Sequence, residues 1–207
     1  MIFIRVAVFL AEKPSFHYTN KKEVIPLNYC YLFIGPSGSG KTSLAENCFS
    51  PDQKIVSYTT RPARLGEKNG QDYHFISKDT FQQMIQRQEF AEYDHYDGQY
   101  YGISNESIES GLRNGDCYDP ITASGFWNLR RRFGDAVVPV WITISKETLM
   151  DRLKNRQTDS KEIDRRLALF DEDQANLTKL EALPDLIIID GERSLEAMSQ
   201  QLRESLK

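Results

Sequence analysis

Gly35-Pro36-Ser37-Gly38-Ser39-Gly40-Lys41-Thr42 decides how the rest of the chain is read. The stretch fits G-x-x-x-x-G-K-[ST] in full, follows the apolar run Tyr29–Ile34 and opens a helix-like segment, Gly40–Phe49. In that strand–loop–helix context the string is a phosphate-binding loop. Its glycines let the backbone wrap a phosphate chain, so that successive N–H groups point inward as an anion nest. The helix N-terminus adds the positive end of its dipole. Lys41 brings a full charge to the β- and γ-phosphates, and the Thr42 hydroxyl can ligate Mg2+. Residues Gly35 to Ser43 are thus expected to hold a nucleoside triphosphate, ATP in the reading developed below.

Outward from the loop, strand-like and helix-like segments alternate. The pattern predicts strands at Lys54–Tyr58, 116–121, Val137–Ile144 and Asp185–Ile189. Helices are expected near 104–114, 124–133, Lys146–Gln157, Glu162–Leu180 and from Ser194 onward. Ser77 reads as the N-cap of a helix that places Phe81, Met84 and Ile85 on one face. Ala91–Ile103 reads as a hairpin about Asp97-Gly98, and residues 61–72 as an exposed loop. Strands spaced by helices imply an α/β fold with a parallel sheet, on which the segment between 57 and 103 is an insertion.

Composition sets the outer limits. The chain has 207 residues, 40% of them hydrophobic and 27% charged, enough for a packed core without disulfides or metal. A net charge of −4 argues against binding nucleic acid through bulk charge, so any anion must be met by a local cluster of cations. Cys30, Cys48 and Cys117 have neither zinc-ligand nor disulfide spacing, read as small buried hydrophobes, and point to a reducing compartment. Residues 1–11 are apolar but too short for a membrane helix, and 12–27 read as a polar connector. Residues 1–27 are therefore taken as an N-terminal extension preceding one domain, 28–207. Arg130-Arg131-Arg132 reads as a solvated helix face.

Ser57-Tyr-Thr-Thr-Arg61-Pro-Ala-Arg64-Leu-Gly-Glu67, followed by Asn69-Gly70-Gln-Asp72-Tyr73-His74-Phe75, narrows the chemistry. With Glu89-Phe90-Ala91-Glu92-Tyr93 and Tyr100-Tyr101-Gly102 it closely resembles the guanylate kinase family over residues 29–207. Arg61 and Arg64, three apart in a loop, can clamp a phosphate through charge-assisted bonds, and Tyr73 and Tyr101 can donate hydroxyls to it. The resemblance assigns these four to the GMP phosphate, Glu92 to guanine and Ser57 to guanine O6. A carboxylate accepts from both the N1–H and the 2-amino group of guanine, a donor pair adenine lacks.

The resemblance also implies a P-loop NTPase fold in three layers, with a parallel sheet core. It adds a mostly-β nucleoside-monophosphate subdomain at 57–104 and a helical lid over about 146–170. In the lid, Arg152 and Arg166 match transition-state arginines, and Arg156 is an auxiliary donor to ATP. Charge in phosphoryl transfer spreads over the equatorial oxygens, so positioned cations carry much of the catalysis.

Three positions depart from the family pattern. Ile103 stands where a small hydroxyl residue bonds guanine O6, leaving Ser104 or a water as substitutes. Thr122 stands where an acid faces metal and nucleotide, with Asp119 the nearby candidate for Mg2+. Asp190 replaces an adenine-contacting Asn. The expected function is transfer of the γ-phosphoryl of ATP to GMP or dGMP, with Mg2+, in the cytoplasm. The partners are small molecules, with no nucleic acid or membrane, and the protein is a monomer or homodimer. The rivals are a kinase of the same fold acting on another phosphorylated acceptor, such as a ribose bisphosphate, and a catalytically silent binding module.

Overall fold

β1 (Cys30–Ile34) is buried at all five positions, as a strand covered on both faces of a parallel sheet must be. The structure, a computed structural model, describes residues 28–155 and 159–207. The proposed extension, 1–27, and Arg156 lie outside the described residues.

β1 is flanked by β6 (Cys117–Pro120) and β7 (Val137–Thr143), and β8 (Ile187–Asp190) follows β7, all in parallel pairs. Register places Phe33 against Pro120 on one side and Val140 on the other. Alternate side chains then feed two cores, as a period of two requires. Tyr31 and Phe33 pack with Leu44, Phe49 and Met198 on one face, whereas Cys30, Leu32 and Ile34 meet Phe126, Leu129 and Trp141 on the other. The first core is covered by α1 (Lys41–Cys48), α5 (Lys146–Asn155), α6 (Ser160–Ala175) and α8 (Leu195–Ser205). The second is covered by α3 (Asn105–Asn114), α4 (Ala123–Phe133) and α7 (Leu177–Leu180). Helices on both faces of a parallel sheet make the three layers that the family resemblance implies.

A second sheet carries the insertion. β2 (Tyr58–Thr59), β3 (His74–Phe75), β4 (Phe90–Tyr96) and β5 (Gln99–Ser104) lie in the order β3-β2-β5-β4. β4 and β5 form the hairpin read from Asp97-Gly98, whose φ values of 54° and 76° are both positive, as a tight hairpin turn needs. α2 (Lys78–Gln86) links β3 to β4, and its Ser77 cap accepts from Thr80 N–H at 3.0 Å.

Three expectations change. Lys54–Tyr58 is not one strand: Lys54 makes a single bridge to Tyr118 at the main sheet's edge, and the chain then crosses to put Tyr58–Thr59 in the second sheet. The pattern Glu162–Leu180 is two helices, because the Asn176 amide donates to the carbonyls of Glu172 and Asp173 at 3.1 and 3.2 Å and closes α6. Arg130 is no solvated charge. It donates to Asp185 at 2.8 and 3.2 Å and to Val137 O at 2.6 Å, pinning α4 to the sheet. Cys30 and Cys117 are buried as expected, while Cys48 is half-buried. Among the described residues no helix is long and apolar enough to cross a membrane.

Candidate active site

The loop between β1 and α1 bends where only glycine fits. A Cβ on Gly35 would stand 2.9 Å from the carbonyl of Ile142 in β7, and Gly40, the residue before α1, has φ of 101°. The turn brings the N-terminus of α1 to one wall of a cavity of about 410 Å³. Gly35, Ser37, Gly38, Gly40, Lys41, Thr42 and Ser43 line it, whereas Pro36 and the buried Ser39 do not. Lys41 Nζ donates to the carbonyls of Gly35 and Pro36 at 2.7 and 2.9 Å. Burial lowers its pKa to about 8, opposed by Asp173 and reinforced by Arg166.

α6 reaches the same wall. Asp173 accepts from Ser37 N–H at 3.4 Å and from the Tyr96 hydroxyl at 2.9 Å, joining α6, the loop and β4. Arg166 also lines the cavity, with its Nε on Glu162 at 2.8 Å. Arg152 does not line it. Its guanidinium donates to Ser39 O at 2.8 Å and to Gly191 O, bracing the loop from behind.

The opposite wall comes from the second sheet. Arg61 is held two-pronged by Glu67, both bonds 2.9 Å, and its guanidinium lies 5.5 Å from the Tyr73 ring centre. Arg64 has no ion-pair partner among the described residues, and burial with Arg61 and Arg166 nearby lowers its pKa. Tyr73 and Tyr101 meet at 6.1 Å, and burial raises the Tyr73 hydroxyl's pKa. These four residues and Ser57 all line the cavity.

Glu92 on β4 is only 6% exposed, lines the cavity and has no partner for Oε2. Burial raises its pKa to about 8, helped by Asp119 and Asp94 and opposed by the Ile103 N–H. A Cβ on Gly125, in the first turn of α4, would lie 2.7 Å from that free oxygen. A side chain there would force Glu92 and Ile121 to shift. Asp119 is buried at the end of β6, and burial raises its pKa to about 8 against the pull of the Ser57 hydroxyl and Lys54.

A loop that nests anions, facing a buried carboxylate with an unpaired oxygen across a clamp of two arginines and two tyrosines, defines a class of protein. The guanylate kinase family model matches residues 28–207. The chain belongs to the guanylate kinase family. A guanylate kinase from Methylobacillus flagellatus is 34% identical over 188 residues, 84% of this chain and 93% of that protein. One from Thiobacillus denitrificans is 35% identical over 190 residues, 84% and 91% of the two chains. The crystal structure of guanylate kinase from Anaplasma phagocytophilum superposes with a TM-score of 0.61 at 26% identity, covering 87% of each chain.

Against that family pattern, Ile103 is buried and lines the cavity where a hydroxyl was expected. Ser104 does not stand in for it. Its hydroxyl caps α3, accepting from Ser107 N–H at 3.1 Å and sharing a bond with the Ser107 hydroxyl. Thr122 caps α4, and its hydroxyl also donates to Asp94 at 2.7 Å. Asp190, in place of the family Asn, accepts from Glu192 N–H at 3.1 Å and does not line the cavity.

Asp94, Tyr96 and Asp173 are cavity residues that the sequence reading passed over. Their signal was present in the spacing. Asp94 and Tyr96 stand two and four positions after Glu92 on a strand, hence on its face, and Asp173 stands seven after Arg166, two helical turns on.

Proposed function

We propose that this chain transfers the γ-phosphoryl of ATP to GMP or dGMP, giving ADP and the nucleoside diphosphate. The observation that carries this reading is Glu92. A buried carboxylate with a free oxygen, in the same cavity as an anion-binding loop, needs a ligand that is anionic at one end and donates hydrogen bonds at the other. Guanine offers N1–H and the 2-amino group to one carboxylate, and no other common base does so.

Placement in the cavity supports the following roles. The loop N–H groups and Lys41 take the triphosphate, and Arg61, Arg64, Tyr73 and Tyr101 take the acceptor phosphate. Arg166 supplies charge between them. No side chain is required as a strong base, because the acceptor phosphate oxygen is already anionic at neutral pH. Residues 57–104 act as the acceptor subdomain and about 146–170 as the lid, where the family resemblance makes Arg156 an auxiliary donor to ATP and Arg152 braces the loop it grips. Ser57 contacts the purine edge.

The Thr42 hydroxyl and the Asp119 carboxylate both line the cavity and are the oxygen donors that would hold a magnesium ion. Held there, Mg2+ would supply positive charge to offset the negative charge that develops during phosphoryl transfer. Small nucleotides in the cytoplasm are the expected partners, and the protein acts as a monomer or homodimer.

Burial of Ile103 and the commitment of Ser104 to α3 favour one second reading, a kinase of this fold acting on another phosphorylated acceptor, a ribose bisphosphate or another nucleotide, that needs no bond to O6. A coupled assay of ADP release, with ATP and Mg2+ across GMP, dGMP, AMP, CMP, UMP and a ribose bisphosphate, separates the readings. GMP turnover at least tenfold above AMP, CMP and UMP is expected. Equal or greater turnover with another acceptor would establish the second reading, and none with any acceptor would leave a binding module.

A further inference from the structure

We infer that Asp94 is a specificity-determining residue: it takes the outer hydrogen of guanine's 2-amino group, making a second carboxylate that reads this amine. The inference rests on the GMP reading above and assigns a contact that reading lacks. Guanine turns three N–H donors toward its carboxylate reader, one on N1 and two on the amine. Glu92 can face N1–H and the amine hydrogen on the N1 side, but the other amine hydrogen points away from it toward the N3 side. The third, left buried and unpaired, would cost a large part of the affinity gained.

Asp94 is placed to accept it. It stands two residues after Glu92 on β4, on the same strand face, and both line the cavity. Its carboxylate is held rather than mobile. Oδ2 accepts from the hydroxyls of Thr122, at 2.7 Å, and Ser124, both at the N-terminus of α4. Oδ1 accepts from His95 N–H at 2.8 Å. An ionised carboxylate has about four acceptor sites, so three are filled and one remains on Oδ1. Glu92, buried beside it with Oε2 unpartnered, is the independent sign that a donor-bearing ligand belongs in this space. The departure at Thr122 acquires a meaning here. The hydroxyl that replaces an acid on the α4 side orients an acid supplied from the β4 side.

The test compares GMP with IMP, whose base keeps N1–H and O6 but lacks the amine. In Asp94→Asn the amide oxygen can still accept from the Thr122 and Ser124 hydroxyls, while a donor replaces the free acceptor. kcat/KM for GMP should fall at least tenfold, with less than a threefold change for IMP. Calorimetric Kd values for the two nucleotides should shift in the same ratio, which covers slow IMP turnover. Because lost folding lowers both substrates alike, the ratio isolates recognition. Ser124→Ala, which loosens Asp94 without touching its charge, should lower the same ratio about threefold and serves if Asp94→Asn is unstable. A GMP-to-IMP ratio unchanged in both variants, with wild type active on GMP, overturns this assignment alone and leaves Asp94 as a clasp on α4. Wild type that neither binds nor phosphorylates GMP overturns the kinase reading and this one together.

Discussion

The two ends of the cavity are built by different means. The phosphate end is mostly backbone: one continuous loop, one helix N-terminus and Lys41 folded back onto the loop's own carbonyls. The base end is all side chain, with Glu92 and Asp94 from β4 meeting the Thr122 and Ser124 hydroxyls at the start of α4 across long sequence separations. Backbone nests tolerate little variation, because each position must satisfy a φ or an approach distance. Side-chain pockets can pass a charge from one wall to the other. The phosphate-binding loop keeps the family pattern in full, while two of the three departures, Ile103 and Thr122, line the base end.

The largest effect should come from the phosphate end. Lys41→Ala is expected to cut kcat about 10³-fold, the scale of removing a preorganised charge from developing phosphoryl oxygens. GMP binding, read by calorimetry, should move less than threefold, since the acceptor clamp lies on the opposite wall. An unchanged rate would dismantle the phosphate-end assignment.

Next is Glu92→Gln, where recognition and stability oppose each other. Replacing one acceptor oxygen with a donor should lower kcat/KM for GMP about a hundredfold. The folded protein without ligand should nevertheless become more stable. Glu92 has its pKa raised from 4.5 to about 8 by burial, so between those values the folded state binds more protons than the unfolded state. Stability then falls as pH rises through this window, and a neutral Gln is free of that loss. The melting temperature of the variant should match wild type near pH 4.5 and exceed it increasingly up to pH 8. A constant offset across that range would mean that Glu92 is ionised in the free protein.

The same division explains what was legible in the sequence. The loop, its flanking strand and helix, and the Asp97-Gly98 hairpin are local, so spacing and turn chemistry sufficed. Arg61, Arg64, Tyr73, Glu92 and Tyr101 were legible as a spaced set, and the fold brings them to one cavity. Asp94 and Asp173 were passed over because their meaning depends on which helix faces them. Asp94 acquires its hydroxyl partners from residues 28 and 30 positions away, and Asp173 meets Ser37 across 136. Arg130 misled for a related reason. Three adjacent arginines look alike in composition, but only one reaches Asp185, 55 residues on.

Asp173 joins the two ends and gives a smaller, pH-dependent effect. Its carboxylate raises the pKa of Lys41, which burial otherwise pulls down. Asp173→Asn should therefore shift the loss of Lys41 charge to lower pH. Read in kcat/KM for ATP, which reports the free enzyme, the alkaline limb near pH 8 should begin earlier, with rates close to wild type at pH 6.5. A parallel drop at every pH would instead assign Asp173 to holding α6 in place.

The smallest change tests whether the base end can be returned to the family's arrangement. Ile103 pairs with Glu92 across the hairpin and lines the cavity, fully buried. Ile103→Thr keeps the β-branched shape that suits a strand and adds a hydroxyl facing the base. One added neutral hydrogen bond to guanine O6 is modest, so kcat/KM for GMP should rise about threefold. The cost is a lower melting temperature in the free protein, because the hydroxyl is buried without a partner until nucleotide arrives. GMP should then restore more of that melting temperature in Ile103→Thr than in wild type. If it does not, the hydroxyl faces away from O6, and the base end holds guanine through its carboxylate edge alone.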